Sequence, residues 1–386
     1  MSDKPPFGPE FGFGLYVHWP YCARICPYCD FNVYAAKDRD NAPLLGAMIA
    51  DIHEHRHLLP DHPPLGSVYL GGGTPSLLEA EDIASLLAAA HAAFGLAPDC
   101  EITLEANPND VLRAEPAVWQ AAGVNRLSVG LQSLHEDALR FLGRDHNAGE
   151  GIKAIARALA AFENISIDLI YARPGQSVRD WQGELEAALG LGAPHLSLYE
   201  LTIEARTAFG RRAARGELVA MPDDEQAELY ELTQEVCAAH GLPAYEVSNH
   251  ARGEDFRSRH NLTYWRGGDW IGVGPGAHGR LTRGGGRLET VAAARPEDYV
   301  RSIMRRPASG EALPSGAAGE ELLLMGLRTI EGISRKRVES ALGRPISEKR
   351  WHDFIGLGLM AVDADRLSLT PDGRLLADRI GRDLLI

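Results

Sequence analysis

Residues 21–31 read Tyr21-Cys22-Ala23-Arg24-Ile25-Cys26-Pro27-Tyr28-Cys29-Asp30-Phe31, a C-x3-C-x2-C array. Just before it stands the apolar run Leu15-Tyr16-Val17-His18-Trp19, whose pattern reads as a strand. Three thiols on a loop leaving a strand can face one centre. Thiolates are soft ligands that suit zinc, Cu(I) or iron–sulfur clusters. A structural zinc site and an ordinary cluster both close with four protein ligands, and no fourth cysteine lies nearby. Three thiolates would leave one iron open to a further ligand. Two blander readings use the same residues: buried thiols packed as small hydrophobes, and a Cys3His zinc site completed by His18.

Outward from the loop, strand and helix alternate. Residues 43–58 carry Leu44, Leu45, Met48, Ile49 and Ile52 at helical spacing, with Pro43 suited to a first turn. The strand Ser67-Val68-Tyr69-Leu70 runs into Gly71-Gly72-Gly73-Thr74-Pro75, where glycines let the backbone approach a ligand and their N–H groups could bind a carboxylate. Further strands are expected at 101–108, 126–133, 165–171 and 195–201, with helices between them. This order argues for a parallel α/β sheet, and we expect an incomplete six-stranded (β/α) barrel. Each strand exits in a polar residue or glycine: Gly72, Glu105, Gln132, Asp168 and Tyr199. Chemistry in barrel enzymes gathers at those carboxyl ends. One acid alone could be a helix cap or a surface ion-pair partner; five exits on one rim point to a site.

The array resembles the signature of the radical S-adenosylmethionine (SAM) superfamily. The resemblance implies a 4Fe–4S cluster held by Cys22, Cys26 and Cys29, with SAM on the fourth iron and cleaved reductively to a 5′-deoxyadenosyl radical. Gly72, Gly73 and Thr74 then match the motif for the SAM amino group. Tyr16 lies in the cofactor-contact region and Tyr28 against the adenine. Glu105, Gln132, Arg144 and Asp168 match positions that hold the ribose and methionine parts. A second stretch, His260-Asn261-Leu262-Thr263-Tyr264-Trp265 followed by Gly272-Val273-Gly274-Pro275-Gly276-Ala277-His278-Gly279, is similar to a narrower branch. Its members are coproporphyrinogen-oxidase-like proteins viewed as haem chaperones. There the resemblance implies His260 as axial haem ligand, Asn261 positioning the ring, and Tyr264 and Trp265 as walls. A histidine among aromatic residues is otherwise a packing residue, and the Gly/Pro run an ordinary turn.

Two functions compete. The coproporphyrinogen dehydrogenases of this branch carry a fourth cysteine two residues after the third, where this chain has Phe31, and a longer segment before the loop. Both differences, with the full H-N-x-x-Y-W, favour haem delivery to acceptors such as respiratory cytochromes over oxidative decarboxylation. One departure stands at 171–176: Tyr171-Ala172-Arg173-Pro174-Gly175-Gln176 replaces Y-G-L-P-G-Q and brings a charge near the expected cofactor.

Composition bounds the rest. The chain has 386 residues, enough for a large domain, expected over 1–290, and a smaller one over 291–386. Helices, a hairpin at 358–370 and a closing helix at 372–384, after a linker at 314–319, resemble a winged-helix-like cap. It lacks a basic recognition helix, so it reads as a lid or docking surface. A net charge of −14 argues against a nucleic-acid partner. No apolar run reaches membrane-spanning length, and the first residues lack a secretory core. Cys100 and Cys237 lie far from the array and read as packing residues. The expected compartment is the reducing cytoplasm. The oligomeric state, a homodimer included, is left open.

Overall fold

The computed structural model describes residues 5–36, 40–59, 61–305, 309–314 and 316–386. Residues 1–4 of the opening and Ser315 of the expected linker lie outside the described residues. The six expected strands form as β1 (Phe13–Trp19), β2 (Leu65–Gly72), β3 (Leu96–Ala106), β4 (Arg126–Gln132), β5 (Asn164–Tyr171) and β6 (His195–Glu200). They are neighbours in chain order and parallel throughout. Helices Ala42–His55, Ala80–Phe94, Ala148–Ala161 and Val178–Gly190 cover the outer face. The first ends three residues before its expected limit, in the turn after His55.

Period-two alternation divides the side chains cleanly. Leu15, Val17, Val68, Leu70, Ile102, Leu104, Leu127, Val129, Ile165, Ile167, Leu196 and Leu198 enter one core together with Met48, Ile52, Ile83 and Ile155 of the covering helices. The opposite set is polar and buried: Ser67, Glu101, Thr103, Arg126, Ser128, Ser166, His195 and Ser197. Hydrogen bonds satisfy much of it, Ser166 Oγ with His195 Nδ1 at 2.8 Å and His195 Nε2 with Tyr245 Oη at 2.9 Å among them. Apolar packing therefore lies outside the strands, and the concave interior is a hydrogen-bonded polar layer.

The sheet continues on both sides. Asp269–Val273 pairs parallel with β1, and the antiparallel strands His278–Arg283, Gly286–Val291 and Glu311–Ala312 extend it; Asn249–Ala251 pairs antiparallel with β6. The result is a mixed sheet of eleven strands among the described residues. The Gly/Pro-rich turn after Val273 packs behind the cysteine loop. A Cβ on Gly274 (φ +105°) would stand 2.3 Å from the His18 carbonyl. Asn32 Nδ2 donates to the Pro275 and Ala294 carbonyls at 2.8 Å each.

A second core gathers Phe7, Leu322, Leu323, Leu327, Ile333, Val338, Leu342, Met360, Leu367, Ile380 and Leu384. The expected hairpin forms as Met360–Asp363 and Arg366–Leu369, with Ile333–Ser334 as a third strand. The expected closing helix is two, Pro371–Leu375 and Ala377–Leu384, because Leu376 leaves helical geometry (φ −106°, ψ +18°). Helix Arg259–Trp265 lies between this unit and the β1–β6 sheet. The Arg328 guanidinium sits 4.9 Å from the Trp265 ring centre, and Arg266 forks onto Glu331. No helix among the described residues is long and apolar enough to cross a membrane.

Candidate cofactor site at the strand exits

At the carboxyl ends of the six strands opens a cavity of about 480 Å³. Cys22, Cys26, Tyr28 and Cys29 line it from the loop, and Gly72, Gly73 and Thr74 from the β2 exit. Glu105, Gln132, Arg144 and Asp168 close the circle. The residues expected at the cluster and SAM thus meet in one space, except Tyr16. That side chain stays inside the sheet, its hydroxyl 2.9 Å from His18 Nδ1.

The loop is fixed by main chain. Gly73 N–H donates to the Trp19 carbonyl at 2.6 Å and Thr74 N–H to the Tyr21 carbonyl at 2.8 Å. Gly72 N–H donates to Glu105 Oε2 at 3.1 Å. All three amides are thus engaged within the protein, that of Gly72 by a carboxylate of the chain itself rather than of a ligand. What the turn has left for a cofactor's ammonium is carbonyl oxygen. Gly73 is required sterically, as a Cβ there would stand 2.6 Å from the Tyr21 carbonyl oxygen.

The three thiols are free, and Cys22 is the most buried of them. No group of three or more His, Cys, Asp or Glu among the described residues is placed to hold a single metal ion. The Cys3His alternative fails on its histidine: His18 Nε2 faces the Asn32 carbonyl at 2.9 Å and its Nδ1 faces Tyr16. Three thiols lining one cavity fit a multi-iron cluster, whose thiolates bind different irons. Arg144 fits the same picture. It donates to Cys26 Sγ at 3.3 Å and to Asn107 Oδ1 at 2.6 Å, while its buried Nε has no hydrogen-bond partner among the described residues. A cation with a spare donor suits a bound carboxylate.

The acids are held for the opposite task. Tyr69 Oη donates to Glu105 Oε1 at 2.8 Å. Burial pushes Glu105 up to about 7, with nearby Asp168 adding to the rise and the Tyr69 hydrogen bond opposing it. Asp168 accepts from Ser128 at 2.9 Å and Ser166 at 3.0 Å and is likewise raised, chiefly by burial. Both would ionise more readily beside a cationic or hydroxyl-rich ligand. Gln132, at φ +66°, sits where the β4–β5 register shifts, which aims its side chain at the rim. Tyr69, Asn107 and Ser128 also line the cavity. Alternation carried the signal for two of them: Tyr69 and Ser128 stand two residues before glycines at the exits.

Arg173 does not enter the cavity. Ala172 adopts φ +57°, and Arg173 turns outward to Glu184 Oε2 at 2.5 Å and to the Ile170 carbonyl at 2.7 Å. Glu184 also accepts from Ser133 Oγ and from Leu134 N–H, just past Gln132. The charge expected near the cofactor is a buried brace between two strand exits.

Of the haem motif, none lines this cavity. His260 is buried on the amino-terminal side of the strands, with Nδ1 3.0 Å from Ser67 Oγ and Nε2 hydrogen-bonded to Tyr264 Oη. Burial lowers it to about 3, with Arg126 adding to the effect. Asn261 is half-buried on the same helix and Trp265 lies under Arg328. With both ring nitrogens engaged, His260 offers no lone pair to an iron unless the helix withdraws.

The family model for the radical SAM superfamily matches residues 16–188, and that for the HemN C-terminal domain matches 313–376. A Mycobacterium tuberculosis protein named heme chaperone HemW is 39% identical over 99% of this chain and 98% of its own. The Escherichia coli protein of the same name is 34% identical over 98% of each. Among solved structures, coproporphyrinogen III oxidase (HemN) of Escherichia coli, titled a radical SAM enzyme, superposes with a TM-score of 0.80. It is 20% identical and covers 97% of this chain and 90% of its own, which bears on the fold. The chain belongs to the radical SAM superfamily and, in its coproporphyrinogen-oxidase-like branch, to the HemW family.

Proposed function

We propose that this protein is a haem chaperone that binds a 4Fe–4S cluster, SAM and haem and passes haem to acceptor haem proteins. The observation that carries the cofactor part is the shared lining of one cavity by Cys22, Cys26, Cys29, Glu105 and Arg144. When bound, an open-iron cluster supplies the electron for SAM cleavage. The chain's own residues orient and enclose: Arg144 meets a carboxylate, Glu105 and Asp168 meet hydroxyl or ammonium groups, and Tyr28 offers an aromatic face. Relatives named for haem chaperoning at 34–39% identity over their full length support the haem part.

Within this reading residues 1–290 carry the cofactors and 291–386 act as lid or docking surface. Acceptors would be cytochrome-bearing proteins, and the compartment the cytoplasm. Axial ligation by His260, walled by Tyr264 and Trp265 and oriented by Asn261, requires helix Arg259–Trp265 to leave its seat. Coproporphyrinogen III dehydrogenation is the second reading, favoured by the likeness of fold. Against it stands Phe31, exposed at 62% on the cavity rim where that chemistry has another cysteine.

Anaerobically reconstituted protein with SAM, reductant and coproporphyrinogen III separates the two. Deoxyadenosine without a porphyrin product, together with hemin transfer to an apo-cytochrome, is expected. Protoporphyrinogen over many turnovers would overturn the chaperone reading.

A further inference from the structure

A second cavity, of about 600 Å³, lies on the outer side of the cysteine loop. Arg24, Arg140, Arg206, Arg211 and Arg212 line it, from three separate stretches of chain. No aspartate or glutamate is among its described lining residues, although the whole chain carries a net charge of −14. Its floor is apolar: Ile25, Pro27 and Phe141, above the fully buried Phe209, with Cys26 and Cys29 reaching the wall. Arg140 is paired with Asp137, an exposed i,i+3 contact of the kind worth little. The Arg211 guanidinium donates to the Arg206 carbonyl at 3.1 Å, and that of Arg212 lies 5.6 Å from the Phe209 ring centre. Among the described lining residues no acid neutralises their charges.

Five guanidinium groups around an apolar floor specify a ligand with a flat or greasy body and several carboxylates. Guanidinium matches carboxylate geometry in two parallel hydrogen bonds, and its weak hydration lets it serve at half-exposed sites. The volume lies within the usual range for small-molecule sites, about 300–1,000 Å³. Among ligands of the family's kind, haem has this chemistry: an apolar macrocycle with two propionates at one edge. We infer that the arginine-rimmed cavity is where haem docks, held by its propionates against the outside of the cysteine loop. This rests on the chaperone reading above and gives it a place that needs no movement of the His260 helix.

The full-length protein is titrated with hemin and with metal-free protoporphyrin IX, following the Soret band and tryptophan quenching. Hemin dimethyl ester, whose carboxylates are blocked, serves as the third probe. Arg206→Glu and the pair Arg211→Glu/Arg212→Glu should each weaken hemin and protoporphyrin binding at least tenfold. The ester should bind wild-type protein at least tenfold more weakly than hemin. Since most of these arginines are exposed, the variants should keep the wild-type circular dichroism. Hemin affinity unchanged in the arginine variants, or equal affinity for the ester, would overturn the assignment while the chaperone reading stood. Wild-type protein that binds no hemin would overturn both.

Discussion

His260 and Tyr69 lie face to face, their ring centres 5.0 Å apart and the planes 23° from parallel. The hydroxyl of that same tyrosine donates to Glu105. A residue of the H-N-x-x-Y-W helix is therefore one contact from a side chain that lines the cavity. Tyr16 makes a parallel route, packing on His260 at 6.2 Å and reaching the cysteine loop through His18 and Asn32. A helix on the far side of the sheet thus supports the groups that would hold SAM.

Tyr69→Phe keeps the ring and removes the donor, leaving Glu105 with the Gly72 amide. Losing a hydrogen bond to a charged group is worth about 1.5–3 kcal/mol. We expect SAM affinity to fall by roughly tenfold in equilibrium dialysis with reconstituted protein, at unchanged iron content. Unaltered affinity would detach Glu105 from SAM.

Glu105 has its folded value raised from 4.5 to about 7. The folded chain therefore holds a proton that the unfolded chain releases between those values, and stability conferred by the neutral acid is lost as pH rises through about 7. Glu105→Gln should stabilise the apo chain above pH 7, by at most about 3 kcal/mol. It should also lose SAM binding. Denaturation at pH 5 and pH 8 checks the sign: the gain must be larger at pH 8.

His260 titrates the other way. Held neutral to about 3, it contributes stability that is complete above its ordinary 6.5 and lost as pH falls toward the lower value. Replacing it by alanine opens a void and strands Ser67 and Tyr264, for a loss of roughly 2–4 kcal/mol at neutral pH. The variant should also show a flatter acid limb between pH 6.5 and 4. A stability profile parallel to wild type would contradict the buried neutral ring.

Arg173→Ala strips the partner from a buried carboxylate, and breaking such a pair costs about 3–5 kcal/mol. The variant should melt earlier and loosen Gln132, the last residue of β4, whose next two neighbours Ser133 and Leu134 are held by Glu184. Ala172→Gly should have the reverse sign, because alanine at φ +57° is strained and glycine is not. A gain of up to about 1 kcal/mol is expected in urea denaturation. Equal midpoints for Ala172→Gly and wild type would refute the strain.

The six strands and the cavity were readable because hydrophobic period and polar exits are local signals. Leu15, Val17 and Trp19 mark one face of β1 whatever follows. The thiols, Glu105 and Asp168 could be placed on one rim because parallel strands share an end. His260 was harder: residue types announced a motif, but which end of the strands its helix would cover depends on tertiary packing. Arg173 misled because its charge was visible and its partner Glu184, eleven residues on, was not. The arginine rim had no sequence signature, since residues near 24, 140 and 206–212 meet only after folding.

The bonds from Gly73 to Trp19 and from Thr74 to Tyr21 join peptide groups, not side chains. Side chains around the cavity can then be exchanged through evolution without shifting Cys22 against the glycine turn. Only an insertion, a deletion, a proline or a side chain at Gly73 would change that alignment. Ligand preference in this fold is free to drift while the cysteine loop stays where it is.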